Sequence, residues 1–122
     1  MRRWLIPTAG GLLLLAVAVG LSLLLSPVRR AAWTTLFLAD FLAGDAPSLF
    51  KAVTPTPAVT SDSLLAADSL WVPFDVYRVP ARNPVGAILF THGLAHEGNR
   101  DHRVRQQAGR LARAGFVVMA PD

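Results

Sequence analysis

The chain has 122 residues, 52% of them hydrophobic, with a formal net charge of +4 and a pI near 11.1. There is no cysteine, which excludes disulfides and thiolate metal sites. The length admits one domain, but much of the apolar content is gathered near the N-terminus. Only 65 residues follow Pro57, a size at which a core is marginal.

The basic balance does not point to nucleic acid. Arg2, Arg3, Arg29 and Arg30 flank an apolar run, where membrane topology accounts for them. Arg100, Arg103, Arg105, Arg110 and Arg113 lie on or beside a helical pattern, where a solvated helix face is the plain reading. No aromatic residues interleave with them to stack bases, so no nucleic-acid partner is expected.

In chain order, Met1-Arg2-Arg3 precedes an uncharged run of twenty-two residues from Trp4 to Leu25. About twenty apolar residues span a bilayer, and Pro7 sits near the start, where a helix tolerates it. A cleaved signal peptide has a shorter apolar region and a small-x-small cleavage site. Here the run is longer and ends Leu23-Leu24-Leu25-Ser26-Pro27-Val28-Arg29-Arg30. Residues 1–30 therefore read as an uncleaved transmembrane signal anchor with basic flanks, making the lipid bilayer a partner through Trp4 to Leu25. Basic residues on the two sides are nearly balanced; the orientation adopted puts the N-terminus in the cytoplasm and the remainder outside, as a single-pass protein.

Residues 31–43 place Trp33, Leu36, Phe37 and Phe41 on one helical face, which Asp40 interrupts, with Gly44 as a stop. Either an interfacial helix with Trp33 at the headgroups or a helix packed on the following domain fits. Thr54-Pro55-Thr56-Pro57 is an extended linker signal. Residues 31–57 thus form a juxtamembrane helix and linker, and residues 58–122 the start of a separate α/β domain.

Residues 70–79 alternate, with Val72, Phe74 and Val76 on one side and Trp71, Asp75 and Tyr77 on the other. Pro73 inside that run predicts an edge or bulged strand, and Asn83-Pro84 marks a turn. Ala87 to Thr91 is a short apolar run that suits a strand buried on both faces. From Arg103 to Ala114, Val104, Ala108, Leu111 and Ala112 fall at helical spacing, and Gly115 stands where a helix C′ residue would. Val117 to Ala120 is a second apolar run. Strand, helix and strand in so short a span predict a right-handed βαβ unit.

A strand ending in His92-Gly93, a helix ending Leu111-Ala112-Arg113-Ala114-Gly115 and a strand ending Pro121-Asp122 resemble, in that order, the early core of an α/β-hydrolase. The likeness is to the dienelactone-hydrolase-like branch of serine hydrolases and covers residues 71–122. It implies an antiparallel N-terminal edge feeding a buried parallel sheet, no cofactor, and an ester-like small-molecule substrate. It also implies an oxyanion loop at His92, Gly93 and Leu94, with Leu94 supplying a backbone N–H. The nucleophile elbow Gly-x-Ser-x-Gly and the later acid and His of this family have no counterpart in the chain. It is therefore expected to be the N-terminal portion of a membrane-anchored hydrolase, inactive alone. The other class left open is a non-catalytic membrane-anchored binding or scaffold protein.

His96, Glu97 and Asn99 read as solvent-facing loop residues at a possible pocket mouth. His92, His96 and His102, with Glu97 and Asp101, lack the one-helix spacing of a zinc motif, so no metal site is expected. Gly93 and Gly98 do not give the spacing of a dinucleotide-binding loop. Asp122 precedes any nucleophile, too early for a triad acid in this family, and reads as structural.

Overall fold

Gly115 has φ +109°, a conformation that side-chain-bearing residues rarely adopt. Its N–H donates to Ala112 O at 3.0 Å, which closes the last helical turn and redirects the chain into a strand. In this computed structural model, which describes residues 5–67, 69–91, 93 and 97–122, the helix before Gly115 spans His102–Arg113 and the strand after it Phe116–Pro121.

The described elements run α1 (Leu5–Ser22), α2 (Ser26–Ala43), α3 (Leu49–Val53), β1 (Ala58–Leu65), β2 (Trp71–Arg78), β3 (Gly86–Leu89), a 3-10 turn (Gly98–Arg100), α4 (His102–Arg113) and β4 (Phe116–Pro121). They divide into two compact units, Met1–Leu38 and Ala39–Asp122.

In the first unit the apolar run is not one continuous helix. Leu24 N–H bonds to Leu21 O and Leu25 N–H to Ser22 O, tightening and ending α1. Pro27 supplies the reason: it has no N–H to continue the ladder, and its ring would meet the carbonyl of Leu23. No single helix among the described residues is long and apolar enough to cross a membrane. Gly10–Ser22 and Ser26–Ala43 meet that criterion only as a pair, bent by 99° at the break.

The second unit is built on a mixed four-stranded sheet in the order β1-β2-β4-β3. β1 and β2 form an antiparallel hairpin, β2 and β4 are also antiparallel, and β3 and β4 are parallel, joined through α4. α4 lies on one face of the sheet. Val104, Ala108 and Ala112 are buried with Tyr77, Val118 and Ala120, and Ile88, Phe90, Leu111 and Phe116 pack around them. Ala108 and Ala112 have no exposure at all, so the helix backbone approaches β4 closely because these side chains are small.

Two expectations change. β2 is not an edge strand, being paired on both sides. Pro73 is tolerated because its carbonyl, which accepts from Asp122 N–H at 2.9 Å, faces β4. A residue's N–H and C=O point the same way along a strand, so the missing donor falls at the end of the β4 ladder, where none is needed. β3 is shorter than expected and is not buried on both faces. It pairs with β4 and its residues alternate between half-buried and exposed, with Leu89 65% exposed, since α4 covers one sheet face only. β1 carries no apolar periodicity and is exposed along its whole length; its backbone pairing with β2 makes it a strand.

Because Ala108 sits against the sheet without free space, Ala108→Leu should lower stability by about 1–3 kcal/mol through overpacking. A urea or thermal melt reads this; an unchanged midpoint would mean that α4 does not seat on the sheet as described.

Candidate functional site

The carboxyl ends of β3 and β4 lie side by side, which is where ligands gather in parallel α/β sheets. Phe90 N–H still donates to Met119 O at 2.8 Å, and the chain then leaves the sheet at exposed Thr91. Of the expected oxyanion loop, Gly93 has φ +60°, a value that suits glycine and helps turn the chain over the sheet end. His92 and Leu94 lie outside the described residues, as does His96 of the expected pocket mouth.

The far end of the loop is tied down. Gly98, at φ +56°, opens the 3-10 turn. Asn99 is buried rather than solvent-facing, and its backbone N–H donates to Asp122 Oδ1 at 3.4 Å. Glu97 is exposed. Asp101 then caps α4, its carboxylate accepting from Arg103 N–H at 2.7 Å. Asp122 thus ties the loop after β3 to the end of β4 with its side chain, and β4 to β2 with its backbone.

Of the arginines expected on a solvated face, Arg100, Arg103 and Arg105 are exposed, but Arg110 is buried and Arg113 half-buried. Arg110 is 3% exposed, and its Nε donates to Asp40 Oδ2 at 2.9 Å while its Nη2 donates to Gly44 O at 2.5 Å. Its guanidinium also lies 5.7 Å from the centre of the Phe41 ring. Asp40, with no exposure, accepts a further bond from the Ser48 hydroxyl and faces Lys51 Nζ at 3.5 Å. Lys51 in turn donates to Gly44 O and Ala46 O, both at 2.9 Å. One turn on, Arg113 Nη1 donates to Thr54 O at 2.9 Å and Pro55 O at 3.2 Å, so Thr54-Pro55 is pinned to α4. Gln106, four residues before Arg110, donates to Asp45.

Gln106, Arg110 and Arg113 are therefore one helix face at i, i+4 and i+7 that binds the chain from Asp40 to Thr56. That spacing of donors beside the apolar stripe was visible in the sequence. Its acidic partner, Asp40, looked like an interruption of an aromatic face because nothing local shows which charge will meet it.

Burial alone would push the Asp40 carboxyl up. Hydrogen bonds from Ser48 and Arg110, then the charges of Lys51 and Arg110, outweigh it and hold the group below its ordinary value of 3.8. Tyr77 is shifted the other way: burial and the Asp75 charge raise its pKa, and the Arg105 charge partly offsets them. Asp75 is itself buried on β2 and accepts from the Ser61 hydroxyl across the hairpin at 2.5 Å.

Chemically, the described part of the sheet-end site offers a turn at Gly93 and a fixed 3-10 turn, but no serine lies between β3 and α4. Among the described residues no group of three or more His, Cys, Asp or Glu converges as a metal site.

No protein-family model matches this chain, and no curated protein matches it. Among solved structures it is similar to brefeldin A esterase, described as a bacterial homologue of human hormone-sensitive lipase. The identity is 20% and the TM-score 0.48, over 79% of this chain and 28% of that one. The chain spans less than a third of that esterase's length. A likeness of this depth bears on neither residue roles nor activity.

Asp40→Asn leaves Arg110 buried without its counter-charge and should cost about 3–5 kcal/mol, a large part of the stability of a small domain. The folded-state pKa of Asp40 is depressed, so its contribution is complete above 3.8 and is lost as pH falls through the lowered value. Chemical melts at neutral and at acid pH should show the variant's deficit shrinking in acid. A deficit that grows in acid would rule out this role for Asp40.

Proposed function

We propose that residues 58–122 form the leading strands and first crossover helix of a serine hydrolase of the α/β type, held at a bilayer by the apolar N-terminal run. The whole protein would hydrolyse carboxylic esters or related acyl bonds. The observation that carries this reading is the parallel pair β3 and β4, joined through α4 and preceded by the antiparallel β1–β2 hairpin. That is the order implied by the motifs His92-Gly93, Leu111 to Gly115 and Pro121-Asp122.

In this reading the loop after β3 contributes half of an oxyanion hole. The N–H of Leu94 would donate to the tetrahedral oxyanion, and His92 and Gly93 would shape the turn that aims it. One such donor is worth about 10²–10³ in rate, or roughly 3–4 kcal/mol. Glu97 would stand at the rim of the substrate pocket. The attacking serine, its base and its acid are not among the residues of this chain. Ser22, Ser26, Ser48, Ser61, Ser63 and Ser69 lie on helices, at the start of α3, on β1 or in its hairpin, and none occupies a strand-to-helix elbow.

Residues 1–122 should accordingly show no turnover of a p-nitrophenyl ester, whereas a version extended through a Gly-x-Ser-x-Gly segment should be active. Turnover by the short chain, abolished by changing one of its six serines, would overturn the assignment.

Membrane attachment rests on the uncharged run from Trp4 to Leu25. The chain should stay with the membrane fraction through a carbonate wash. Release of the intact protein by salt alone would show that the run does not anchor it.

A further inference from the structure

Where the chain from Asp45 to Pro57 passes α4 and the β1–β2 hairpin, it leaves an open cleft of about 230 Å³. Lys51, Tyr77, Arg105, Arg110 and Arg113 line it against the single carboxylate of Asp45. Most of these groups are already engaged: Arg110 by Asp40, Lys51 and Arg113 by backbone carbonyls, and Asp45 by Gln106 and His102. Two are not. Arg105 is exposed, and the hydroxyl of Tyr77 sits in a side chain only 4% exposed. Neither side chain has a hydrogen-bond partner among the described residues.

A buried tyrosine hydroxyl ordinarily finds a partner. This one lines a cleft whose remaining free group is also a donor; the Asp75 carboxylate and, in the opposite sense and more weakly, the Arg105 guanidinium act on the same phenol. The local need is for an acceptor, and the excess of positive charge around the cleft selects a negative one. The volume suits a small ion with a few waters rather than an extended ligand.

We propose that this cleft binds a small oxyanion, of the phosphate or carboxylate class, between the Arg105 guanidinium and the Tyr77 hydroxyl. The site is on the α4 side of the hairpin and is independent of the loop assigned to ester hydrolysis.

Tyr77 is the sole tyrosine of the chain, so tyrosinate absorbance reports on this hydroxyl alone. Inorganic phosphate and acetate would each be titrated into the full chain, followed by calorimetry and by the pH midpoint of that absorbance. Saturable binding of either ion, with a rise in the midpoint, is expected, because a phenol that donates to an anion gives up its proton less readily. Tyr77→Phe keeps the ring packing and Arg105→Gln alters an exposed side chain. Each should weaken binding about tenfold or more, and Arg105→Gln should also abolish the anion-induced shift. The proposal fails if neither ion moves the midpoint, or if binding persists unchanged in both variants, which would mark diffuse attraction to a basic surface.

Discussion

The buried pair of Asp40 and Arg110 is the contact on which the second unit depends. Two opposite charges have been taken out of water, which is unfavourable unless their remaining donors and acceptors are met. They are: Ser48 and Lys51 complete the carboxylate, and Gly44 O and the Phe41 ring complete the guanidinium. A purely apolar contact of the same size could stabilise as well, but it would tolerate sliding. The fork of Arg110 against Asp40 and Gly44 admits one register of the chain 40–56 along α4, and Arg113 repeats the constraint one turn later.

From that contact the order of the rest follows. With α4 held from outside by the preceding chain, Ala108 and Ala112 hold it from inside against Val118 and Ala120. The helix is thus packed between two partners, which is why Arg110 is buried and Arg113 half-buried while Arg103 and Arg105 stay exposed. The sheet beneath is covered on this side only. On the other, Leu89 and Leu64 stand exposed beside half-buried Val76 and Met119.

The described residues of the sheet-end loop meet backbone needs. Gly93 and Gly98 supply two left-handed turns, and the Asp122 carboxylate accepts the Asn99 N–H. An aspartate at a strand end is easily taken for a reacting group. Here its position at the end of β4, with its own N–H bonded to Pro73, marks it as the residue that ties loop, β4 and β2 together.

Local rules were enough for α4, its glycine stop at Gly115 and the strands around it, because apolar spacing and a positive-φ glycine act within a few residues. They also placed β2, though not its neighbours. What only the tertiary structure decided was pairing. β1 became a strand because β2 offered an edge, and Pro73 became an interior residue because β4 ends beside it. Asp40 became a buried carboxylate because Arg110, seventy residues on, reached it. Each of these depends on a partner distant in the chain, and composition or periodicity carries no information on which distant donor meets which acceptor.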